Sequence, residues 1–98
     1  MSKTISNEIL LSNGHRLKVQ TSTRQEVKGK ESTFISLNTD YFRIRISQRI
    51  SLNDLQPRHA QITISTESET DDLASIQTLA LALKEAIKFA ERLNENVI

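Results

Sequence analysis

The sequence predicts an α+β domain, with an antiparallel sheet of four to five strands followed by one long C-terminal helix packed on one face of the sheet. Two observations predict this class. Apolar and polar residues alternate over short segments up to about residue 65, whereas apolar residues recur every three to four positions from about residue 71 onward. A helix of about 25 residues is roughly 38 Å long, so it can cross a small sheet.

The first two strands are predicted from residues 9–19, ILLSNGHRLKV, which have the hairpin signal Asn-Gly at their centre. A two-residue turn would place Ile9 opposite Lys18 and mix apolar with charged side chains on one face. A three-residue loop with Gly14 as a left-handed bulge places Ile9 opposite Leu17 instead. Because burial fixes register more strongly than a dipeptide preference, we predict the bulged turn. The inward-facing residues are then Ile5, Ile9, Leu11, Leu17 and Val19.

Alternating polarity predicts three further strands, over residues 34–37, 41–50 and 60–65. The first of these is too short to fix which of its residues face the core. Polar composition predicts irregular segments at residues 23–33 and 51–59, with Lys28, Gly29 and Lys30 at the tip of a hairpin in the first of them. The inward-facing residues of the two longer strands are predicted to be Phe42, Ile44, Ile46, Ile50, Ile62 and Ile64.

The helix is predicted over about residues 71–96. Ser68 or Thr70 can cap its N-terminus, and the acidic residues around them suit the positive end of the helix dipole. Leu81 and Phe89 lie outside the apolar stripe, which makes them candidates for a second contact. The stripe expected to pack on the sheet is Leu73, Ile76, Leu79, Ala80, Leu83, Ala86, Ile87, Ala90 and Leu93.

Part of this stripe has heptad spacing, which leaves a homodimer through the helix open. The stripe is broader than a coiled-coil seam, which favours packing on the chain's own sheet. The heptad positions are Leu73, Ile76, Ala80, Leu83, Ile87 and Ala90.

Length and composition bound the class of protein. The 98 residues suffice for one domain, which we place at residues 1–98, and the net charge is +1. The chain has no cysteine, which fits a reducing compartment. It also lacks a signal-like start and any apolar run of membrane-spanning length. We therefore expect a soluble cytoplasmic protein with no membrane contact.

The sequence contains no pattern typical of a catalytic or metal site. It has no glycine-rich phosphate loop and no nucleophile elbow, and His15 and His59 have no second ligand at a meaningful spacing. The acidic segment Glu67–Asp72 lacks the ligand positions and central glycine of a calcium loop. We expect a protein that is not an enzyme and that uses no cofactor and no metal ion.

Basic residues are concentrated in the first part of the chain. Up to His59 there are ten Lys and Arg residues against five Asp and Glu residues. A helix covering the apolar face of the sheet would leave a basic outer face uncovered, and this face is the predicted partner-binding surface. Its residues are Arg16, Lys18, Tyr41, Arg43, Arg45 and Arg49.

We expect this face to dock on another protein with an acidic surface, as an inhibitor, adaptor or regulatory subunit. Arginine is enriched at protein interfaces, and its planar group suits carboxylates. The alternative is a single-stranded nucleic acid, because basic side chains bind phosphates and Tyr41 could stack on a base. A single expected aromatic residue and the low net charge place this alternative second.

Overall fold

The computed structural model describes residues 2–66 and 72–97. It contains a five-stranded antiparallel sheet in the order β1-β2-β3-β4-β5, followed by a C-terminal helix that packs on the sheet. The predicted α+β class is therefore confirmed. The elements are β1 (Ser2–Leu10), β2 (Arg16–Val27), β3 (Lys30–Asn38), β4 (Phe42–Gln48), β5 (Gln61–Thr66) and α1 (Leu73–Asn94).

The first hairpin has the predicted bulged register. Ile9 lies opposite Leu17, and Gly14 has a φ of 89°. The loop is closed by hydrogen bonds from the Leu11 amide to the His15 carbonyl (2.8 Å) and from the Gly14 amide to the Leu11 carbonyl (2.9 Å). This register separates apolar from polar side chains and so defines an inner and an outer face.

The predicted hairpin tip at Lys28, Gly29 and Lys30 is confirmed, whereas the prediction that residues 23–33 are irregular throughout is wrong. β2 continues to Val27 and β3 begins at Lys30, with a turn at Gly29 between them. Most side chains of this hairpin end are exposed or half-buried. Polar residues are therefore compatible with a strand here, because neither face has to enter a core.

The inner face of the sheet and one face of α1 enclose the core. Ile62 and Ile64 of β5 face inward as predicted, opposite Ile46 and Ile44 of β4. The buried apolar residues are Leu11, Leu17, Val19, Ile35, Leu37, Phe42, Ile44, Ile46, Ala82, Ala86 and Ala90.

The helix face that packs on the sheet overlaps the predicted stripe in part: Ala86 and Ala90 are buried, and Leu79, Leu83 and Leu93 pack against the core. The buried helix residues are small, namely Thr78, Ala82, Ala86 and Ala90. Leu81 and Phe89, predicted to lie outside the stripe, are partly buried against the core. Small side chains let the helix backbone approach β4, and β5 beside it, closely. As a result, several of the larger stripe residues are exposed: Leu73, Ile76 and Ile87.

Polar contacts fix both ends of α1. Asp72 is the N-cap, and its carboxylate accepts a hydrogen bond from the Ala74 amide at 3.4 Å. The predicted caps Ser68 and Thr70 lie outside the described residues. At the other end, the Gln48 side-chain amide donates to the Leu93 carbonyl at 2.7 Å. Neither α1 nor any other helical part of residues 2–66 and 72–97 qualifies as a membrane-crossing segment.

Candidate functional site

The outer face of the sheet lies opposite α1, and strand register arranges its side chains in rows. The first row is Glu8, Lys18, Asn38, Arg43 and Ser65. The second row is Ser6, Gln20, Ser36, Arg45 and Thr63. The third row is Thr4, Ser22, Phe34, Ser47 and Gln61. Hydroxyl and amide groups thus form most of this surface, and basic side chains are distributed among them.

All six predicted site residues are exposed. The alternation of β4 places Arg43 and Arg45 on the outer face, and Arg49 follows immediately after that strand. The other three residues line a groove of about 520 Å³ at one end of the face, formed by the first hairpin turn and the turn between β3 and β4. They are Arg16, Lys18 and Tyr41.

A second groove, of about 340 Å³, lies farther along the outer face. Arg45 and Arg49 line it together with Phe34, and the rest of its lining comes from all four strands β2 to β5: Gln20, Ser22, Ile35, Ser36, Ile46, Ser47 and Thr63. Five of the six predicted residues therefore line two neighbouring grooves, and Arg43 lines neither of them.

Phe34 is the site residue that sequence reasoning missed. Its outward position follows from its place opposite Ser22 and Ser47. The guanidinium carbons of Arg24 and Arg49 lie 5.7 and 5.5 Å from the centroid of its ring. These are cation–π distances, so the ring holds two guanidinium groups at the end of the outer face.

The two arginines beside Phe34 differ in their charge balance. Arg24 Nη2 and Nε donate to Glu26 Oε1 at 2.8 and 3.1 Å. This contact, followed by a hydrogen bond from the Ser32 hydroxyl, holds the pKa of Glu26 below its ordinary value of 4.5. Arg49 has no carboxylate within 4.0 Å among residues 2–66 and 72–97. Arg49 therefore places a positive charge without a direct carboxylate partner beside an aromatic ring, and this charge also helps to lower the pKa of Glu26.

At the other end of the face, Arg16 is paired with a carboxylate, whereas Arg43 is oriented by a neutral side chain. Arg16 forms an exposed ion pair of 3.2 Å with Glu8. Arg43 Nε donates to Asn38 Oδ1 at 3.0 Å, and this oxygen also accepts a hydrogen bond from the Ser36 hydroxyl. The Arg43 guanidinium is thus oriented by a neutral partner and keeps its charge.

Within the described ranges, no three His, Asp or Glu residues lie close enough together to hold a metal ion. His15 lies in the first hairpin turn and His59 in the connection between β4 and β5, at opposite ends of the sheet. The acidic segment 67–71 lies outside the described residues.

Comparisons of the chain with models of known protein families, with curated proteins and with solved structures find no significant match. The function is therefore argued from the geometry and charge of the outer face.

Proposed function

We propose that the chain binds single-stranded nucleic acid along the outer face of the sheet, without catalysing a reaction. The supporting observation is the position of Phe34 in a groove lined by Arg45 and Arg49. The sequence favoured an acidic protein partner partly because Tyr41 was the only aromatic residue expected on this face. Phe34 removes that reason, because an aromatic side chain lines each of the two grooves described above.

The charges of the outer face suit a linear polyanion. Arg43, Arg45 and Arg49 lie on the outward side of β4 and the residue after it, with Ser47 between the last two. These three arginines therefore span roughly 20 Å along the strand. Among the described residues, neither these three arginines nor Lys18 has a carboxylate partner. Basic side chains that displace counterions from phosphates supply most of the affinity of non-specific nucleic-acid binding.

The remaining side chains of the face suit nucleobases. Bases of single strands stack on aromatic rings and on arginine planes, and their edges form hydrogen bonds with polar side chains. The outer face offers Phe34, Tyr41 and the guanidinium of Arg49, with Ser, Thr and Gln residues between them. A duplex would not present its bases to such a flat surface, so the proposal specifies a single strand.

Fluorescence polarisation of a labelled oligothymidine tests the proposal. An oligomer of about 12 nucleotides falls within the site size of single-strand binding domains, roughly 4–16 nucleotides. We expect the logarithm of the binding constant to fall with the logarithm of salt concentration with a slope of about −3, for four phosphate contacts. The double variant Arg43→Ala/Arg45→Ala should bind more weakly, with a slope of about −1.4.

The matched control is Lys84→Ala/Lys88→Ala, which removes the same charge from exposed positions of α1. It should bind as the wild type does. Equal losses in the two double variants would show that net charge alone drives binding, and absence of binding at low salt would refute the proposal.

The contribution of the bases is tested separately from that of the phosphates. Phe34→Leu keeps an apolar side chain but removes the ring, and we expect about 5- to 150-fold weaker binding, the value of one stacked base. An abasic oligomer of equal length should show a similar loss against the wild type. Equal affinities for the abasic and the normal oligomer would contradict base stacking.

Docking on an acidic protein, as an inhibitor, adaptor or regulatory subunit, is the second candidate. It is favoured by two exposed apolar side chains near Arg16, those of Leu10 and Tyr41, which are 67% and 43% exposed. Polyglutamate serves as the probe, because it carries charge without bases. If polyglutamate binds through Arg43 and Arg45 and oligothymidine does not bind, this candidate replaces the first.

We also propose a cytoplasmic location. Single-stranded nucleic acid is accessible there, and a chain without cysteine needs no oxidising compartment.

A further inference from the structure

The side of the molecule opposite the outer face carries an uncovered apolar strip. On α1, Leu73, Ile76 and Ile87 are 66%, 52% and 50% exposed. On the inner face of β5, Ile62 and Ile64 are 41% and 47% exposed. We define these five residues as the apolar strip.

Two hydrogen bonds show that the helix part of the strip lies beside β5. Asn94 Oδ1 accepts from the amide of Ala60, the residue before β5, at 2.7 Å. Ile76 and Ile87 lie 18 and 7 residues before Asn94. Both spacings are close to a whole number of helical turns at about 100° per residue, so these two side chains point to the same side of α1 as Asn94 does. Thr78, about 160° away from Asn94 around the helix, accepts instead from Asn13 in the first hairpin turn. The exposed aliphatic flank of α1 and the inner face of β5 are therefore contiguous.

β5 is also an edge strand without the usual protection against pairing. Its sequence, QITIST, contains no charged residue and no proline. Natural edges are commonly blocked by charges, prolines or bulges. The other edge of the same sheet, β1, carries Lys3 on its inner face and Glu8 on its outer face. Only the edge next to the apolar strip is open to a further strand in the described sheet.

We infer that a second copy of this chain covers the apolar strip, with β5 pairing antiparallel to β5 of the second copy about a two-fold axis. An isologous pair requires a surface that complements itself, and an uncharged antiparallel strand beside an aliphatic helix flank meets this condition. Placing Thr63 on the axis sets Ile62 opposite Ile64 of the second copy and opposes no like charges.

The geometry of the helices and the exposed area fit such a dimer. Because strands are about 4.8 Å apart, a helix above β4 and β5 lies roughly 5–7 Å from the two-fold axis of the dimer. The helices of the two copies are then about 10–14 Å apart. The isoleucine side chains of α1 and β5 can fill this space. The strip leaves on the order of 500 Å² uncovered per copy, a patch size that marks interaction sites. When the backbone edge of β5 is included, the total area that the two copies would bury approaches the range of about 1,200–2,000 Å² found in stable interfaces.

This dimer would extend the outer face. A two-fold axis perpendicular to the sheet keeps both outer faces on the same side of a continuous ten-stranded sheet. The inference does not rest on the proposed function, because the apolar strip lies on the inner side of the sheet, and Thr63 is the one residue of β5 that lines either of the two outer-face grooves described above.

Sedimentation equilibrium without nucleic acid tests the inference. We expect twice the chain mass for the wild type and for Leu52→Glu, a control at an exposed leucine outside the strip. Ile64→Lys and Ile87→Glu should sediment as monomers while keeping the circular dichroism of the folded chain. Two substitutions are used so that the test survives if one of them unfolds. A wild-type monomer over the whole concentration range would overturn the inference.

The strand register is tested by cross-linking, which is simple in a chain without cysteine. Directly opposed residues of antiparallel strands have Cα atoms about 4.5 or 5.5 Å apart, within the range that a disulfide spans. Thr63→Cys should therefore form a disulfide-linked dimer on mild oxidation. Ser6→Cys, on the β1 edge, should not. Equal cross-linking of the two variants would contradict pairing through β5.

Discussion

The side-chain amide of Asn13 donates a 2.9 Å hydrogen bond to the hydroxyl oxygen of Thr78, which is 1% exposed. The Thr78 hydroxyl in turn donates to the Ala74 carbonyl at 2.9 Å. One side-chain contact thus joins the first turn of the sheet to the first turns of the helix, 65 residues later. It holds the N-terminal part of the helix beside the first hairpin turn.

The contribution of this contact can be measured by a double-mutant cycle. Asn13→Ala removes the donor and leaves the buried Thr78 oxygen with one partner fewer, so it should lower the free energy of unfolding by about 1 kcal/mol. Thr78→Val should cost less, because the exposed Asn13 amide regains water. Urea denaturation of both single variants and the double variant should give a coupling energy of about 1 kcal/mol. Additive effects would show that the contact does not stabilise the fold.

The first hairpin turn depends on the backbone freedom of Gly14. Its φ of 89° is unfavourable for side chains other than glycine, and no atom lies within 4 Å of an added Cβ. Gly14→Ala should therefore cost at least about 1 kcal/mol through backbone strain alone. Gly14→Asn should cost less, because asparagine tolerates left-handed conformations. Equal unfolding midpoints for wild type and Gly14→Ala would contradict the bulged turn.

The small residues under the helix determine how closely it approaches the sheet. Ala82 is fully buried, so Ala82→Leu should overfill the interface and lower stability by about 1–3 kcal/mol. Ala74→Leu, at an exposed position of the same helix, should change it by less than about 0.5 kcal/mol. Thermal unfolding of the two variants compares them directly. A tolerated leucine at position 82 would mean that the packed face is misplaced.

The carboxylate of Glu26 should make stability depend on pH in the acid range. The hydrogen bonds from Arg24 and Ser32 lower its pKa in the folded chain below 4.5, so its contribution is fully present above that value. The contribution is lost as pH falls through the lowered pKa. Glu26→Gln should therefore be less stable than wild type near neutral pH, with the difference shrinking in acid. Arg24→Gln should weaken the same pH dependence, because it removes the largest cause of the shift.

The strand arrangement could largely be predicted because burial fixes it. Only the bulged register around Gly14 separates Ile9 and Leu17 from the charged residues, and the alternation from Phe42 onward leaves one solution for β4. The face of α1 could not be predicted in the same way. Apolar residues occupy more than half of its circumference, and the choice depends on how closely small residues let the helix approach. The stripe predicted from helical spacing included Ile76 and Ile87, which the structure leaves exposed, and omitted Ala82, which it buries.

The candidate site could be predicted from the sequence for those residues whose strand could be predicted. Arg43 and Arg45 face outward because the residues that alternate with them, Phe42, Ile44 and Ile46, are buried. Phe34 was missed because only residues 34–37 were predicted as a strand, too short a stretch to establish its phase. The observed extent, Lys30–Asn38, pairs with β2 and β4 and places Ile35 and Leu37 inward. Phe34 must then face outward. The cross-strand register determines this orientation, whereas the alternation of residues 34–37 alone is too short to determine it.

The most direct test of the outer face as the binding surface is a map of backbone amide shifts during titration with oligothymidine. We expect the largest changes on outward positions of β2, β3 and β4, centred on Phe34 and Arg45, with little change at Ile62, Ile76 and Ile87. The opposite pattern, with changes concentrated on β5 and α1 and none around Phe34, would contradict the assignment of the binding surface.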